Sequence, residues 1–250
     1  PYAIYARHIL GLDRLDPLGG WPGAALRGSV IHDVLGRFAA RYPERLPDDV
    51  GGELVALAAT LLADYAAHAR IRAFWLPRFA RFSDWFAATE AARRRDVERV
   101  VAEVNGKIVL ARPGGPFELR ARADRIDRGP AGMVIIDYKT GRAPANARVL
   151  SGNAPQLPLE AAIAAAGGFA GLAAGPVAAL RYIRAAGGEP AGEEIAVKAT
   201  SITDLAAAAL EGLGKLIDAF DDPNRPYRPA RRAAFAGVYD YDDYAHLARV

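Results

Sequence analysis

The chain has 250 residues, of which 52% are hydrophobic and 24% charged, as is usual for a globular protein with a sizeable core. It contains no cysteine, which excludes disulfides and cysteine-ligated metal sites, and it has no apolar run of about 18 residues that would predict a membrane span. The formal net charge of +3 is too small to indicate nucleic-acid binding by itself. There is no signal-peptide pattern, and the chain begins at Pro1 with Met133 as its only methionine, so we expect a piece of a longer cytoplasmic polypeptide.

Hydrophobic periodicity predicts helices first and strands later. Helices are predicted over residues 24–42, 51–72 and 83–101, the last with Ser83 as its N-cap. Further along the chain we expect strands at 104–111, 117–128 and 133–139, a helix at 154–166, strands at 177–184 and 193–198, and a helix at 202–220.

This order of elements predicts an α/β fold with a mixed central β-sheet flanked by helices. We expect one domain over residues 1–250. Within it, residues 1–102 are mainly helical, residues 103–221 hold the sheet and its helices, and residues 222–250 form an irregular tail rich in proline and arginine.

An acidic residue and a lysine end the most apolar predicted strand. The run Met133-Val-Ile-Ile-Asp137-Tyr-Lys139 is typical of a buried strand. Side chains at positions i and i+2 of a strand lie on the same face, so Asp137 and Lys139 project together. Burying these charges is costly without a partner or a metal. A plain salt bridge at a strand end is the alternative explanation for this pair.

A turn at residues 129–132 would bring a third charged side chain beside this pair. If the strands on either side pair without a bulge, Asp124 lies opposite Asp137 and Arg122 lies opposite Lys139. Two facing carboxylates repel each other unless a proton or a cation lies between them. The pattern therefore predicts a divalent-ion site, although a shift of one residue would move Asp124 to the other face.

Three motifs resemble a known nuclease family. They are Ala-Asp-Arg-Ile-Asp at 123–127, Ile-Ile-Asp-Tyr-Lys-Thr-Gly at 135–141 and Pro-Gln-Leu-Pro-Leu at 155–159, and they resemble the RecB-type nucleases of the PD-(D/E)xK superfamily. Together with residues 1–10, 26–33 and 244–250, they are similar to the C-terminal nuclease domain of the AddB subunit of bacterial AddAB helicase-nucleases. The resemblance implies a restriction-endonuclease-like core that follows a helical N-terminal region.

The resemblance also implies a role for each matching residue. Asp124 and Asp137 match the family's metal-binding carboxylates, and Lys139 matches the lysine that orients or activates the attacking water. His32 matches an upstream histidine that reaches the metal, and the backbone carbonyl of Tyr138 is implied as a further ligand. The implied metal is Mg²⁺ or Mn²⁺.

Other positions match the family less closely. Glu103 is the first candidate for the family's upstream glutamate, and Glu98 is the second. Gln156 matches the glutamine of a Gln-x-x-x-Tyr motif, but Glu160 stands where the tyrosine is expected. Some AddB proteins hold an iron-sulfur cluster with four cysteines. Because this chain has none, we expect no cluster and expect packing between the N- and C-terminal segments instead.

Several arginines are candidates for DNA contact. We predict phosphate contacts for Arg122 and Arg125, which lie on a catalytic strand. Asp127 is either a group that supports the metal ligands or a structural partner of Arg125. The run at residues 93–95 is more typical of a solvated helix face than of a DNA contact. Four arginines of the tail are open to DNA binding or subunit docking: Arg225, Arg228, Arg231 and Arg232.

The resemblance implies a metal-dependent DNA exonuclease that hydrolyses the 5′-ended strand in double-strand break repair by homologous recombination. Its expected partners are single-stranded DNA and the AddA helicase-nuclease subunit. Two alternatives stay open: a catalytically weak nuclease fold used for DNA binding or subunit docking, and a stand-alone RecB-like nuclease. The chain has no Gly-x-x-x-x-Gly-Lys-Ser/Thr loop, so ATP hydrolysis must come from elsewhere.

Overall fold

The computed structural model describes residues 2–12, 23–65, 68 and 71–228. These residues form a five-stranded mixed sheet flanked by helices, which confirms the predicted fold class. Along the described chain the α-helices are α1 (Tyr2–Ile4), α2 (Ala24–Arg41), α3 (Val50–Leu61), α4 (Leu76–Arg93), α5 (Asn146–Leu150), α6 (Gln156–Ala165) and α7 (Ile202–Asp221), of which α2 to α6 belong to the same unit as the sheet. The tail arginines at positions 231 and 232 and the motif at 244–250 lie outside the described residues.

The five strands lie side by side in chain order. They are β1 (Arg99–Leu110), β2 (Phe117–Gly129), β3 (Gly132–Lys139), β4 (Val177–Ala185) and β5 (Gly192–Ala196). Only β3 and β4 are parallel, whereas the other neighbours are antiparallel. The connection between the two parallel strands contains α5 and α6, as a crossover of this kind requires.

Strand β3 is apolar up to Asp137 because both of its faces are covered. Ile135 belongs to a core that also contains Leu157 of α6. Ile136, on the opposite face, belongs to a core formed with α2, α3 and α4, which includes Phe38 and Phe86. A central strand buried on both sides reads as a continuous apolar run, and this explains the sequence before Asp137.

Helix α4 differs most from its predicted bounds. It begins at Leu76, seven positions before the predicted cap, and ends at Arg93. Pro77 lies in its first turn, where the missing backbone N–H costs nothing. Ser83 lies inside the helix and donates its hydroxyl to the carbonyl of Phe79 at 2.9 Å. The earlier end of the helix allows β1 to begin several residues before its predicted start.

The chain divides into two compact units. The larger is Pro22–Lys215, and the smaller combines Pro1–Trp21 with Leu216–Val250. In the smaller unit the ring of Tyr5 stacks on that of Tyr227, with centroids 6.0 Å apart. Residues near the start and near the end of the described chain are therefore in contact within this unit. The assignment of residues 1–250 to a single domain stays a prediction. Among the described helices, none combines the length and apolar character needed to span a bilayer.

Candidate active site

The register of β2 against β3 brings the predicted acidic residues together. Arg125 pairs with Ile136, as the sequence predicts, and this register holds to the turn. Beyond this pair the strands separate, and the side chain of Asp124 continues the contact because its Oδ2 accepts a hydrogen bond from the backbone N–H of Tyr138 at 2.8 Å. Asp124 is thereby fixed beside the carboxyl end of β3, which also carries Asp137.

Three elements supply potential metal ligands at this point. His32 of α2, Glu103 of β1 and Asp124 of β2 each place one donor atom within 4.8 Å of the others. Within this set, His32 Nδ1 and Asp124 Oδ1 are 3.2 Å apart. Mg²⁺ ligands lie about 2.0–2.1 Å from the ion, so two of them are at most about 4.2 Å apart. Only a small inward movement is needed for these three donors to share one ion.

The Oε1 atom of Glu103 supports the fit to a cation. It is buried and has no hydrogen-bond partner among the described residues, whereas Oε2 lies 2.9 Å from the guanidinium of Arg122. A buried carboxylate oxygen without a partner is costly, and a metal ion at this position would satisfy it. The donor set of one imidazole and two carboxylates suits Mg²⁺ or Mn²⁺.

The backbone at Glu103 explains how its side chain enters the site. Its φ of 50° lies in the left-handed region, which is uncommon for a residue other than glycine. The side chain lies against α2 at Gly36, where an added Cβ would be only 2.6 Å from the Cγ of Glu103. Gly36 was not among the predicted site residues, although a glycine inside a helical pattern is a signal of close packing.

Replacing Gly36 by Ala is therefore expected to weaken Mn²⁺ binding about tenfold, because the added methyl group moves Glu103. Isothermal titration calorimetry measures the affinity. Gly28→Ala is the matched control: it makes a similar change in the same helix, and its new Cβ would meet only the Thr140 hydroxyl at 3.6 Å. Equal affinities for the wild type and both variants would contradict the role given to Glu103.

A second cluster lies at the end of β3. Lys139 Nζ lies 2.8 Å from Oδ1 and 2.7 Å from Oδ2 of Asp137, which is almost fully buried. The Gln156 side chain donates to Asp137 Oδ1 at 2.7 Å through Nε2 and accepts from Lys139 at 3.3 Å through Oε1. These contacts hold the ammonium group of Lys139 in place. Because the lysine side chain is 29% exposed, a substrate can still reach it.

The pKa shifts of Asp137 and Glu103 indicate that neighbouring positive charges do not fully compensate the carboxylates of the site. Burial raises the pKa of Asp137, and the carboxylate of Asp124 adds to this effect against the opposing ammonium of Lys139. Burial also raises the pKa of Glu103, despite the neighbouring Arg122. Each shift means that the ionised carboxylate is destabilised in the folded chain, and a bound cation would stabilise it.

The remaining candidates occupy different positions. The ring of Tyr138 is buried and meets that of His32 edge-on at 6.1 Å. Glu98, the second candidate for the upstream glutamate, lies outside the cluster in the turn before β1. Arg122 pairs with Asn105 across the sheet, and its side chain remains 62% exposed.

The expected DNA contact by Arg125 is wrong for this structure. Its side chain is fully buried, with Nε and one terminal nitrogen bound to both oxygens of Asp127 at 2.5 and 2.8 Å. The other terminal nitrogen binds Glu90 of α4 at 2.7 Å. Because Arg125 is fully buried on an inner strand of the sheet, its guanidinium is not accessible to a DNA phosphate in this structure. Asp127 is accordingly the structural partner of Arg125.

Known proteins resemble this chain over much of its length. An uncharacterized protein of Rickettsia typhi is 28% identical over 174 residues, which cover 68% of this chain and 20% of that protein. An uncharacterized protein of Rickettsia conorii is 27% identical over 174 residues, with coverages of 68% and 21%. The chain thus spans about a fifth of the length of these curated relatives.

A solved structure and a family pattern also match. The crystal structure of SSO0001 is 12% identical and aligns with 79% of this chain and 87% of that chain, but its TM-score of 0.31 is too low to support an argument. The sequence pattern of the PD-(D/E)XK nuclease superfamily matches residues 1–235. That match covers nearly the whole chain, including every residue of the cluster described above. The chain therefore belongs to the PD-(D/E)XK nuclease superfamily.

Proposed function

We propose that this chain is a Mg²⁺- or Mn²⁺-dependent deoxyribonuclease. The observation that carries the proposal is the convergence of His32, Glu103 and Asp124 beside the paired Asp137 and Lys139. Acidic ligands for a divalent ion next to a partly exposed ammonium group suit the hydrolysis of a phosphodiester. The family to which the chain belongs supports the same chemistry.

Each residue has a distinct task in this proposal. Asp124, Asp137, neutral His32 and the backbone carbonyl of Tyr138 hold the ion, and Glu103 completes the acidic set. When bound, the ion lowers the pKa of water and offsets charge on the phosphate oxygens.

Lys139 donates a hydrogen bond to the attacking water or to a phosphate oxygen. Its distances to Asp137 and Gln156 restrict the direction of its Nζ, so little reorganisation is needed when a phosphate arrives.

We further infer a role like that of the AddB nuclease domain. This rests on the sequence motifs around Asp124, Asp137 and Gln156. In that role the site removes nucleotides from the 5′-ended single strand during recombinational repair of double-strand breaks in the cytoplasm. An AddA-type helicase-nuclease subunit supplies unwound DNA.

Labelled oligonucleotides test this function. The chain is incubated with single-stranded DNA labelled at either the 5′ or the 3′ end, in Mg²⁺, in Mn²⁺, or in excess chelator. We expect cleavage with either ion and none with chelator, and the order in which the two labels are released gives the polarity. DNA that is bound at the same metal concentrations but never cut would instead identify a binding or docking module.

Arg122 is the basic side chain that we assign to DNA binding. Because it is exposed and touches Glu103, it can hold a phosphate next to the metal site. We expect Arg122→Ala to weaken binding to single strands of any sequence and to reduce the salt dependence of log K by about 0.7 to 1. Fluorescence anisotropy at several salt concentrations measures both quantities.

Lys215→Ala is the control for this variant because it removes the same charge from an exposed ion pair on α7. It is expected to leave the salt dependence of DNA binding unchanged. An equal effect of the two variants would show that Arg122 acts only through net charge.

A further inference from the structure

Glu160 is a buried carboxyl next to the site whose function is not explained by metal binding. It lies one helical turn after Gln156 in α6 and is only 3% exposed. Its Oε1 accepts a hydrogen bond from Nε2 of Gln156 at 3.1 Å. Its Oε2 is buried without a hydrogen-bond partner among the residues that the structure describes. An apolar side chain would avoid this desolvation cost, so the carboxyl needs a compensating role.

The amide of Gln156 connects this carboxyl to the reacting groups. One Nε2 hydrogen is available to Asp137 at 2.7 Å and the other to Glu160 at 3.1 Å, while Oε1 faces the ammonium of Lys139 at 3.3 Å. Rotating the amide by half a turn would place its oxygen against two carboxyl groups and its hydrogens against an ammonium. The amide therefore has one favourable orientation, which is set by the charges of Asp137 and Lys139, and in this orientation Glu160 accepts the second Nε2 hydrogen and holds the amide in place.

The charge state of Glu160 suits this contact. Burial raises its pKa to about 8, and the carboxylates of Asp137 and Asp124 add to the effect. A carboxyl that is largely neutral accepts the amide hydrogen without adding negative charge to an already acidic pocket. A neutral glutamine at this position would offer a similar acceptor.

We propose that Glu160 is a positioning residue, which holds the Gln156 amide across Asp137 and Lys139 so that the lysine ammonium stays aligned for the reaction. The proposal rests on the nuclease function proposed above. It assigns no contact with substrate or metal to Glu160 itself. The expected consequence is an effect on the chemical step that is transmitted entirely through Gln156.

A double-mutant cycle tests this assignment. Glu160→Leu fills the space but cannot accept the hydrogen bond, and it is expected to lower kcat about tenfold to a hundredfold with little change in KM. Glu160→Gln is expected to restore most of kcat. In a Gln156→Ala background, Glu160→Leu should have almost no further effect, because the residue through which it acts is gone.

Two results would overturn the proposal: an unchanged kcat in Glu160→Leu, or the same loss of kcat with and without Gln156. Ile163→Val, a conservative change of a fully buried residue in the same helix, is the control and should leave kcat unaffected. If Glu160→Leu does not fold, Glu160→Ala replaces it in the cycle.

A second measurement separates this proposal from the nuclease function. The side-chain amide hydrogens of Gln156 are assigned by NMR from their loss in Gln156→Ala. Slow solvent exchange in the wild type and in Glu160→Gln, but fast exchange in Glu160→Leu, would support positioning even if the chain cleaved no DNA. Equal exchange rates in all three proteins would contradict positioning, whatever the cleavage assay shows.

Discussion

Replacing Asp137 by Asn is expected to lower the rate of DNA cleavage at least about a thousandfold while leaving the fold as stable as before, or more stable. The loss of activity follows because the neutral amide is a poor ligand for a divalent ion and no longer attracts Lys139. Stability is not lost together with activity, because burial raises the pKa of Asp137 and its ionised form therefore destabilises the folded chain at neutral pH.

The two measurements are made under different conditions. Cleavage is followed in Mn²⁺, and the free energy of unfolding is obtained by urea denaturation in chelator, so that no bound ion contributes. Asp204→Asn, an exposed acidic residue near the start of α7, is the control for the loss of one negative charge.

The result also decides between the site and a plain salt bridge. If Asp137 served only to pair with Lys139, its replacement would reduce stability and would not alter cleavage by the chain. A destabilised variant that keeps full activity would therefore refute the assignment of Asp137 as a metal ligand.

Much of this site could be predicted because it depends on local patterns. The apolar run before Asp137 identifies a buried strand, and the period of two places Lys139 on the same face. The short turn after β2 fixes the register, so Asp124 follows from its distance to that turn. These inferences need only residues close together in the chain, and the structure agrees with the register.

Other features could not be predicted because they depend on contacts between distant segments. Arg125 looks like a surface arginine in the sequence, and its buried partner Glu90 is 35 positions away. The same carboxylate binds Arg93 and Arg94, which a helical pattern alone assigns to solvent. Nothing in the local sequence indicates the left-handed backbone of Glu103. This residue was predicted to be the upstream glutamate from family resemblance alone.

The buried ion cluster around Arg125 leads to the second large expected effect. Arg125→Met keeps much of the side-chain volume but leaves Asp127 without its bidentate partner, and both groups are buried. Removing one member of a buried charge cluster costs about 3–5 kcal/mol, because the remaining carboxylates lose their compensation. Urea denaturation of the variant measures this loss.

Arg128→Met on the same strand is the matched control. This residue is exposed, and the change is expected to alter the free energy of unfolding by no more than about 0.5 kcal/mol. A stable Arg125→Met variant with weakened DNA binding would restore the original assignment of Arg125 as a phosphate contact.

The pH dependence of stability distinguishes loss of charge compensation from loss of packing. Burial by itself raises the pKa of Glu90, but Arg125, Arg93 and Arg94 outweigh it and hold the pKa below its usual value. Ionised Glu90 therefore stabilises the fold above the usual carboxyl pKa, and this contribution disappears as the pH falls through the lower pKa of the folded state. Without Arg125 the folded pKa is higher, so acid unfolding of Arg125→Met should begin at a higher pH than that of the wild type. A parallel shift in stability at every pH would instead assign the whole effect to packing.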